Sequence, residues 1–96
     1  GTDEFAEVFE TAVRMFPDDA IANLNAANAT MRRGDLTGAK RYLDRAGDSP
    51  EAVYARGALA VRRKDYDSAR RYLNEAKSLG SEQAGITLEQ LEKGRR

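Results

Sequence analysis

Two pairs of carboxylates are the side chains whose spacing comes closest to a chemical site. Asp18 and Asp19 are adjacent, and Asp65 and Asp67 flank Tyr66. Paired carboxylates could hold a hard cation, but calcium takes six or more oxygen ligands, usually from a dedicated loop with a glycine at its turn. Capping of helix N-termini by aspartate explains both pairs more simply. We therefore predict no metal site.

The common catalytic side chains of histidine and cysteine are missing from the sequence. It has no histidine and no cysteine, which excludes histidine bases, catalytic triads, thiolate nucleophiles and zinc sites with nitrogen or sulfur ligands. Glycine-rich phosphate loops are absent as well. The four serines lack a candidate base: Ser49, Ser68, Ser78 and Ser81. The sequence predicts a protein that is not an enzyme and uses no cofactor.

Length and composition indicate one folded domain over residues 1–96. Hydrophobic residues make up 41% and charged residues 33% of the chain, which is typical of a globular protein. The net charge is zero, but residues 1–30 carry a balance of −5 and residues 31–80 a balance of +5. This distribution argues against general nucleic-acid binding. The start at Gly1 without methionine is interpreted as the start of an excised fragment.

An internal repeat appears when the chain is shifted by 30 residues. Residues 34–46 then lie on residues 64–76. The identical pairs are Asp35/Asp65, Ala39/Ala69, Arg41/Arg71, Tyr42/Tyr72, Leu43/Leu73 and Ala46/Ala76. Apolar positions in each copy are three and four residues apart, which places them on one face of a helix. Each copy therefore predicts a helix–turn–helix unit.

Capping signals divide the chain into helices. Asp35 and Asp65 are suited to cap second helices, and Ser49 precedes Pro50 at a first helical position. The connections are short, so neighbouring helices should pack antiparallel. We predict an all-α fold with helices over 3–15, 19–33, 36–46, 50–63, 66–79 and 82–93.

The small and large residues of each copy resemble the tetratricopeptide repeat, a helix pair of 34 residues. In one copy the resemblance lies in Gly57, Ala60, Asp65-Tyr66, Ala69, Leu73 and Ala76; in the other it lies in Ala26-Ala27, Gly34-Asp35, Ala39, Leu43, Ala46 and Pro50. It implies a half repeat over 3–17, repeats over 19–48 and 49–80, and a capping helix over 82–93. Together they would form a solenoid of antiparallel helix pairs.

The sequence departs from the family pattern at several positions. Asn23 and Val53 replace a large aromatic residue, and Arg56 replaces a leucine. The period of 30 residues is about one helical turn short of 34. Because the shortfall falls at residues 47–49, the third helix should end early.

The resemblance also implies a concave groove lined by the first helix of each pair. Such a groove is suited to an extended peptide or a partner helix. The alternative is that Leu24 and Tyr54 only pack inside the stack. The candidate groove residues are Ile21, Leu24, Asn25, Asn28, Met31, Arg32, Tyr54, Ala58, Val61 and Arg62, with Ile86 of the last helix as a further one.

Two sharper binding hypotheses are less favoured. Some family members bind a chaperone's terminal carboxylate with lysines and asparagines, but Leu24 and Ala55 occupy two of those positions here.

The basic runs at 32–33, 40–41, 62–64 and 70–71 could form a stripe that binds phosphates, yet aspartates are interspersed among them. A salt-bridged helix surface explains these runs better, so we predict a protein partner, no nucleic acid and no membrane insertion.

The first predicted helix carries aromatic side chains that could remain uncovered. Phe5, Phe9, Val13 and Phe16 could form an apolar strip that pairs head-to-tail with another copy, or helix 19–33 could cover them completely. An alternative function is thus a structural spacer or self-assembly element. Residues 46–57 and 88–93 are similar to C-terminal repeat tails of Bacteroidetes outer-membrane-associated proteins, which implies a larger cell-envelope protein.

Overall fold

The computed structural model describes residues 2–94, with side chains described from Glu7 onward. Gly1 lies outside the described residues, as does the side chain of Phe5. The described part of the chain contains six helices and no strand, which confirms the predicted all-α class. The helices are α1 (Thr2–Met15), α2 (Ala20–Arg32), α3 (Leu36–Leu43), α4 (Pro50–Arg62), α5 (Tyr66–Ser78) and α6 (Glu82–Gly94).

The helices form two compact units, the first ending at Gly47 and the second beginning at Asp48. In the first unit, α2 packs against both α1 and α3. In the second unit, α5 packs against both α4 and α6. Within each unit, helices that are neighbours in sequence are thus neighbours in space, as the helix-pair class requires. The single domain predicted over 1–96 stays a prediction.

The predicted caps start the helices. The side chains of Asp35 and Asp65 accept hydrogen bonds from the backbone N–H groups of Gly38 and Ser68, at 2.9 and 3.3 Å. Hydrogen bonds from the Ser68 side chain and backbone hold the pKa of the Asp65 carboxyl below its ordinary value of 3.8. One aspartate of each carboxylate pair, Asp19 or Asp65, therefore caps a helix N-terminus and satisfies an exposed backbone donor.

Helix α3 ends at Leu43, three residues before the predicted end at Ala46. The N–H groups of Arg45 and Ala46 bond to carbonyls three residues earlier, at 3.0 and 3.1 Å. This tightening closes the last turn, and Gly47 then adopts a φ of 76°, a backbone conformation that favours glycine. Helix α5 continues to Ser78. Helix α3 is therefore shorter than α5, the equivalent helix of the other copy, which confirms the early end expected from the period of 30 residues.

A close approach between α4 and α5 organises the core of the second unit. Leu73 is completely buried, and Val53, Ala60 and Ala69 lie in the same cluster. Gly57 faces Leu73 so closely that an added Cβ would stand 2.7 Å from Leu73 Cδ2 and 2.8 Å from its Cγ. Because a buried leucine has little room to move, only glycine fits this position without a shift.

We predict that Gly57→Ala destabilises the protein even though alanine is the better helix former. Overpacking a close-packed core costs about 1–3 kcal/mol, against a gain in helix propensity of about 1 kcal/mol. The net loss should be up to about 2 kcal/mol in urea unfolding. Gly85→Ala is the matched control, because its Cβ would lie 3.8 Å from the Lys77 side chain. This variant should be neutral or slightly more stable, and equal effects of the two substitutions would contradict the packing account.

Asn23 fixes the turn between α1 and α2. Its side chain is completely buried, and its Nδ2 donates to the carbonyl oxygens of Pro17 and Asp19, at 2.9 and 2.8 Å. Its Oδ1 accepts no hydrogen bond within the described part of the chain. The polar residue that departs from the family pattern therefore binds two carbonyl groups of a turn that contains a proline.

We predict that Asn23→Asp strongly destabilises the first unit. The substitution keeps the side-chain shape but turns a carboxylate oxygen toward two carbonyl oxygens in a buried site. An uncompensated buried charge costs about 3–5 kcal/mol. Asn25→Asp on the same helix is the control, since Asn25 is exposed and such surface changes shift stability by only about 0.5 kcal/mol. Thermal unfolding at neutral pH measures both, and similar melting temperatures would refute the role assigned to Asn23.

Candidate interaction surface

The candidate residues of the first unit share one side of α2. Ile21, Leu24, Asn25, Asn28 and Arg32 are spaced by three and four residues, which aligns them along a helix face. Ile21 is 70% exposed, Asn25 and Arg32 are also exposed, and Leu24 and Asn28 are half-buried. This side of α2 therefore offers apolar, amide and guanidinium groups to a partner.

Met31 differs from the other candidates on α2. It is only 6% exposed and belongs to the buried hydrophobic residues. It lies ten residues after Ile21, which turns it toward the edge of the face that the other candidates share. Met31 therefore contributes to packing, and the accessible set on α2 is the remaining five residues.

The candidate residues of the second unit share one side of α4. Tyr54, Ala58 and Val61 are half-buried, and Arg62 at the end of the helix is exposed. The Tyr54 ring and Val61 pack against the core cluster. The Tyr54 hydroxyl lies 3.3 Å from Thr87 Oγ1 on α6. Tyr54 thus supports the contact between α4 and α6 as well as forming part of the candidate surface.

Helix α6 adds one apolar group to the second unit. Ile86 is half exposed and lies beside Thr87, the partner of Tyr54. Ala55, which occupies one position of the family's carboxylate clamp, is buried. Arg56 is half-buried, and its Nη1 donates to Asp48 Oδ1 at 3.2 Å. The arginine that replaces a core leucine therefore places its charged end on an aspartate at the start of the unit.

Several basic runs of the sequence are engaged in ion pairs. Arg33 bonds to Glu10 of α1 at 3.1 Å, Lys40 to Asp44 at 3.2 Å, and Arg70 to Asp67 at 2.8 Å. Each pair joins a cation of a basic run to a nearby acid, as in the salt-bridged helix surface expected from the sequence. Such exposed pairs contribute little to stability, but they divide the basic runs into locally neutral segments.

The charges of Glu10 and Arg33 also act on the half-buried Tyr42 of α3. Burial raises the pKa of the Tyr42 hydroxyl above its ordinary value of 10.0, and the Glu10 carboxylate raises it further. Arg33 and Arg14 act in the opposite direction. The net effect is a raised pKa, so the phenol is protonated at neutral pH. Tyr42 therefore serves here as a neutral packing residue rather than as a base.

Two surface depressions lie away from the candidate residues. One, of about 580 Å³, is lined by residues 64–67, Arg70 and the end of α6. The other, of about 650 Å³, is lined by Glu10, Thr30, Tyr42 and parts of α3. Both are bordered by several charged residues, among them Asp65 and Arg70 in the first and Glu10 and Arg41 in the second. Neither includes a candidate residue of α2 or α4.

Residues 2–94 contain no group of three acidic side chains placed to hold a metal ion. None of the helices in this part of the chain is long and apolar enough to cross a membrane.

Comparison with known families decides the classification. A family model of the tetratricopeptide repeat matches the chain over residues 6–46 and again over 39–84. The chain belongs to the tetratricopeptide repeat family. No curated protein matches it at a significant level. Tetratricopeptide repeats generally mediate protein–protein interactions, and they are typically non-catalytic modules.

The tetratricopeptide pattern did not identify the most exposed apolar residues of α1. Val13 is buried and Phe9 is half-buried, whereas Phe16 is exposed. Helix α2 therefore covers part of the predicted strip and leaves the rest. Val8 and Met15 are both exposed and were missed, although their spacing of seven residues places them on one side of the helix.

Proposed function

We propose that this chain is a non-catalytic interaction module that binds a peptide or protein partner through its first helices. The observation that carries the proposal is the large exposed side chain of Ile21 on the same side of α2 as the polar groups of Asn25 and Arg32. Apolar anchors next to amide and guanidinium groups are typical of surfaces that receive an extended peptide or an amphipathic helix. The family's general role in protein–protein interaction supports the same conclusion.

The face of α4 supports the proposal in the second unit. Tyr54, Ala58, Val61 and Arg62 repeat the combination of apolar and guanidinium groups seen on α2. A tyrosine that is held by Thr87 has little conformational freedom to lose on binding. Tyrosine and arginine are also enriched among the residues that dominate interface energies. We therefore place Tyr54 and Arg62 among the binding residues of this unit.

The alternative function is a structural spacer or self-assembly element of a larger cell-envelope protein. The resemblance of residues 46–57 and 88–93 to envelope-protein tails motivates this alternative, and the location stays a prediction. A spacer needs no partner on α2 or α4. Substitutions on those faces would then leave its interactions unchanged.

We predict that a variant with Ile21→Ser, Asn25→Ala and Arg32→Ala loses the partner. A pull-down with the wild-type chain supplies the partner, and titration calorimetry then measures its affinity for each variant. The loss should be at least about tenfold, which corresponds to about 1.4 kcal/mol. Each of the three side chains is exposed, so the variant should remain folded, as circular dichroism can verify.

The matched control carries Leu79→Ser, Asn74→Ala and Arg71→Ala, three exposed residues of α5 and its end. It removes similar chemical groups from a second helix. It should bind the partner as the wild type does. Equal affinities for the wild type and for both variants would refute the binding face on α2 and favour the spacer function.

A further inference from the structure

Helix α1 presents an apolar strip that no described helix covers. Val8 is 64% and Met15 is 67% exposed, and the exposed Thr11 lies between them on the same side. Phe9 and Ala12 are only half-buried, whereas Leu73 and Ala76, with the same spacing on α5, are completely buried. Helix α5 has extensive contacts with both α4 and α6, while the extensive contacts of α1 among the described helices are with α2.

Two opposite charges border this strip on the same side. Glu7 and Arg14 are seven residues apart, which returns them to nearly the same direction around the helix. Both are exposed, and Arg14 Nη2 donates to Thr11 Oγ1 at 3.1 Å. The guanidinium group therefore lies along the strip. Glu10 is held by Arg33, whereas Glu7 takes part in no ion pair within the described part of the chain.

The charged and apolar residues on this side of α1 complement those of a second α1 when the two helices pack antiparallel. If two copies of α1 pack antiparallel about a two-fold axis near Thr11, Glu7 of each copy faces Arg14 of the other. Val8 of each copy then faces Met15 of the other. A parallel pair would instead place the charged side of one helix against the opposite side of the other. An isologous contact uses the same surface on both copies, as this pattern requires.

We propose that α1 forms an antiparallel two-fold contact with α1 of a second copy of this chain. The contact goes beyond the proposed function, because it uses a helix other than the first helices that are assigned to a partner. It also differs from the head-to-tail contact suggested by the charge distribution along the sequence. Helix α6 carries exposed Glu82, Glu89 and Glu92 against one exposed cation, Lys93, so most of its charges would repel Glu7.

The expected association is weak. Helix α1 has 14 residues and is therefore about 21 Å long. Stable interfaces bury about 1,200–2,000 Å² in total, and smaller ones are typical of transient contacts. Because interfaces of standard size reach dissociation constants of about micromolar or tighter, we expect this smaller contact to form dimers only above about micromolar concentration. The two charge pairs should make the association weaker in high salt.

Charge reversal tests the orientation directly. Glu7→Arg places two arginines opposite each other twice, and Arg14→Glu does the same with two glutamates. Each single variant should dimerise at least about tenfold more weakly than the wild type in sedimentation equilibrium. An equimolar mixture of the two variants restores both opposite-charge pairs, so the mixture should dimerise like the wild type. Circular dichroism confirms that each variant is folded.

The control is Glu92→Arg on α6, which should leave the dimerisation constant unchanged. Three results would overturn the proposal: a wild-type chain that remains monomeric to millimolar concentration, growth beyond dimers, or a mixture of folded single variants that stays monomeric. The restored dimer in the mixture is specific to the antiparallel pair. A parallel pair or a contact with α6 would not bring positions 7 and 14 of two copies together.

Discussion

The close approach of α4 to Leu73 is the constraint on which the second unit depends. Gly57 leaves no space for a Cβ because Leu73 Cδ2 and Cγ occupy it. The leucine is fully buried and belongs to a cluster with Val53, Ala60 and Ala69. Small residues on one helix and a large residue on the next thus determine how near the two axes lie. The first unit has Ala27 at the position of Gly57, so this closest spacing is a property of the second copy.

Turns and caps determine where each helix begins relative to this packing. Aspartate or serine side chains accept hydrogen bonds from the backbone at the starts of α2 to α5. Lys64 has a φ of 63° at the position where the first copy has Gly34 with a φ of 91°. The left-handed conformation costs a lysine roughly 1 kcal/mol. The turn between the two helices of a repeat therefore has the same left-handed residue in both copies, even though Lys64 is less suited to it than Gly34.

Much of the fold could be predicted from the 30-residue offset and the capping residues. Ala39, Leu43 and Ala46 match Ala69, Leu73 and Ala76 in burial as well as in type, because a repeated pattern buries repeated positions. The end of α3 was harder to predict, since Ala46 stays buried after the helix has ended. Asn23 was recognised as a departure, but its bonds to Pro17 and Asp19 depend on the path of a turn.

The candidate surface was less predictable than the fold. Met31 follows the family position but is buried, and Tyr54 is shared between the core and the surface. The exposure of Val8 and Met15 depends on which side of α1 receives α2, and this cannot be read from one helix alone. The residues that hold the fold and those proposed to bind a partner overlap only in part: small buried residues hold the helix pairs, exposed side chains such as Ile21 lie on the surface, and Tyr54 belongs to both sets.

A double-mutant cycle at positions 57 and 73 tests the central packing claim most directly. Urea unfolding would be measured for the wild type, Gly57→Ala, Leu73→Ala and the double variant. If the Gly57–Leu73 contact sets the helix spacing, Gly57→Ala should cost stability in the wild type but should be neutral or stabilising once Leu73 is alanine. The expected coupling is the overpacking cost of about 1–3 kcal/mol, within the range for residues in contact. An equal cost of Gly57→Ala in both backgrounds would contradict the account.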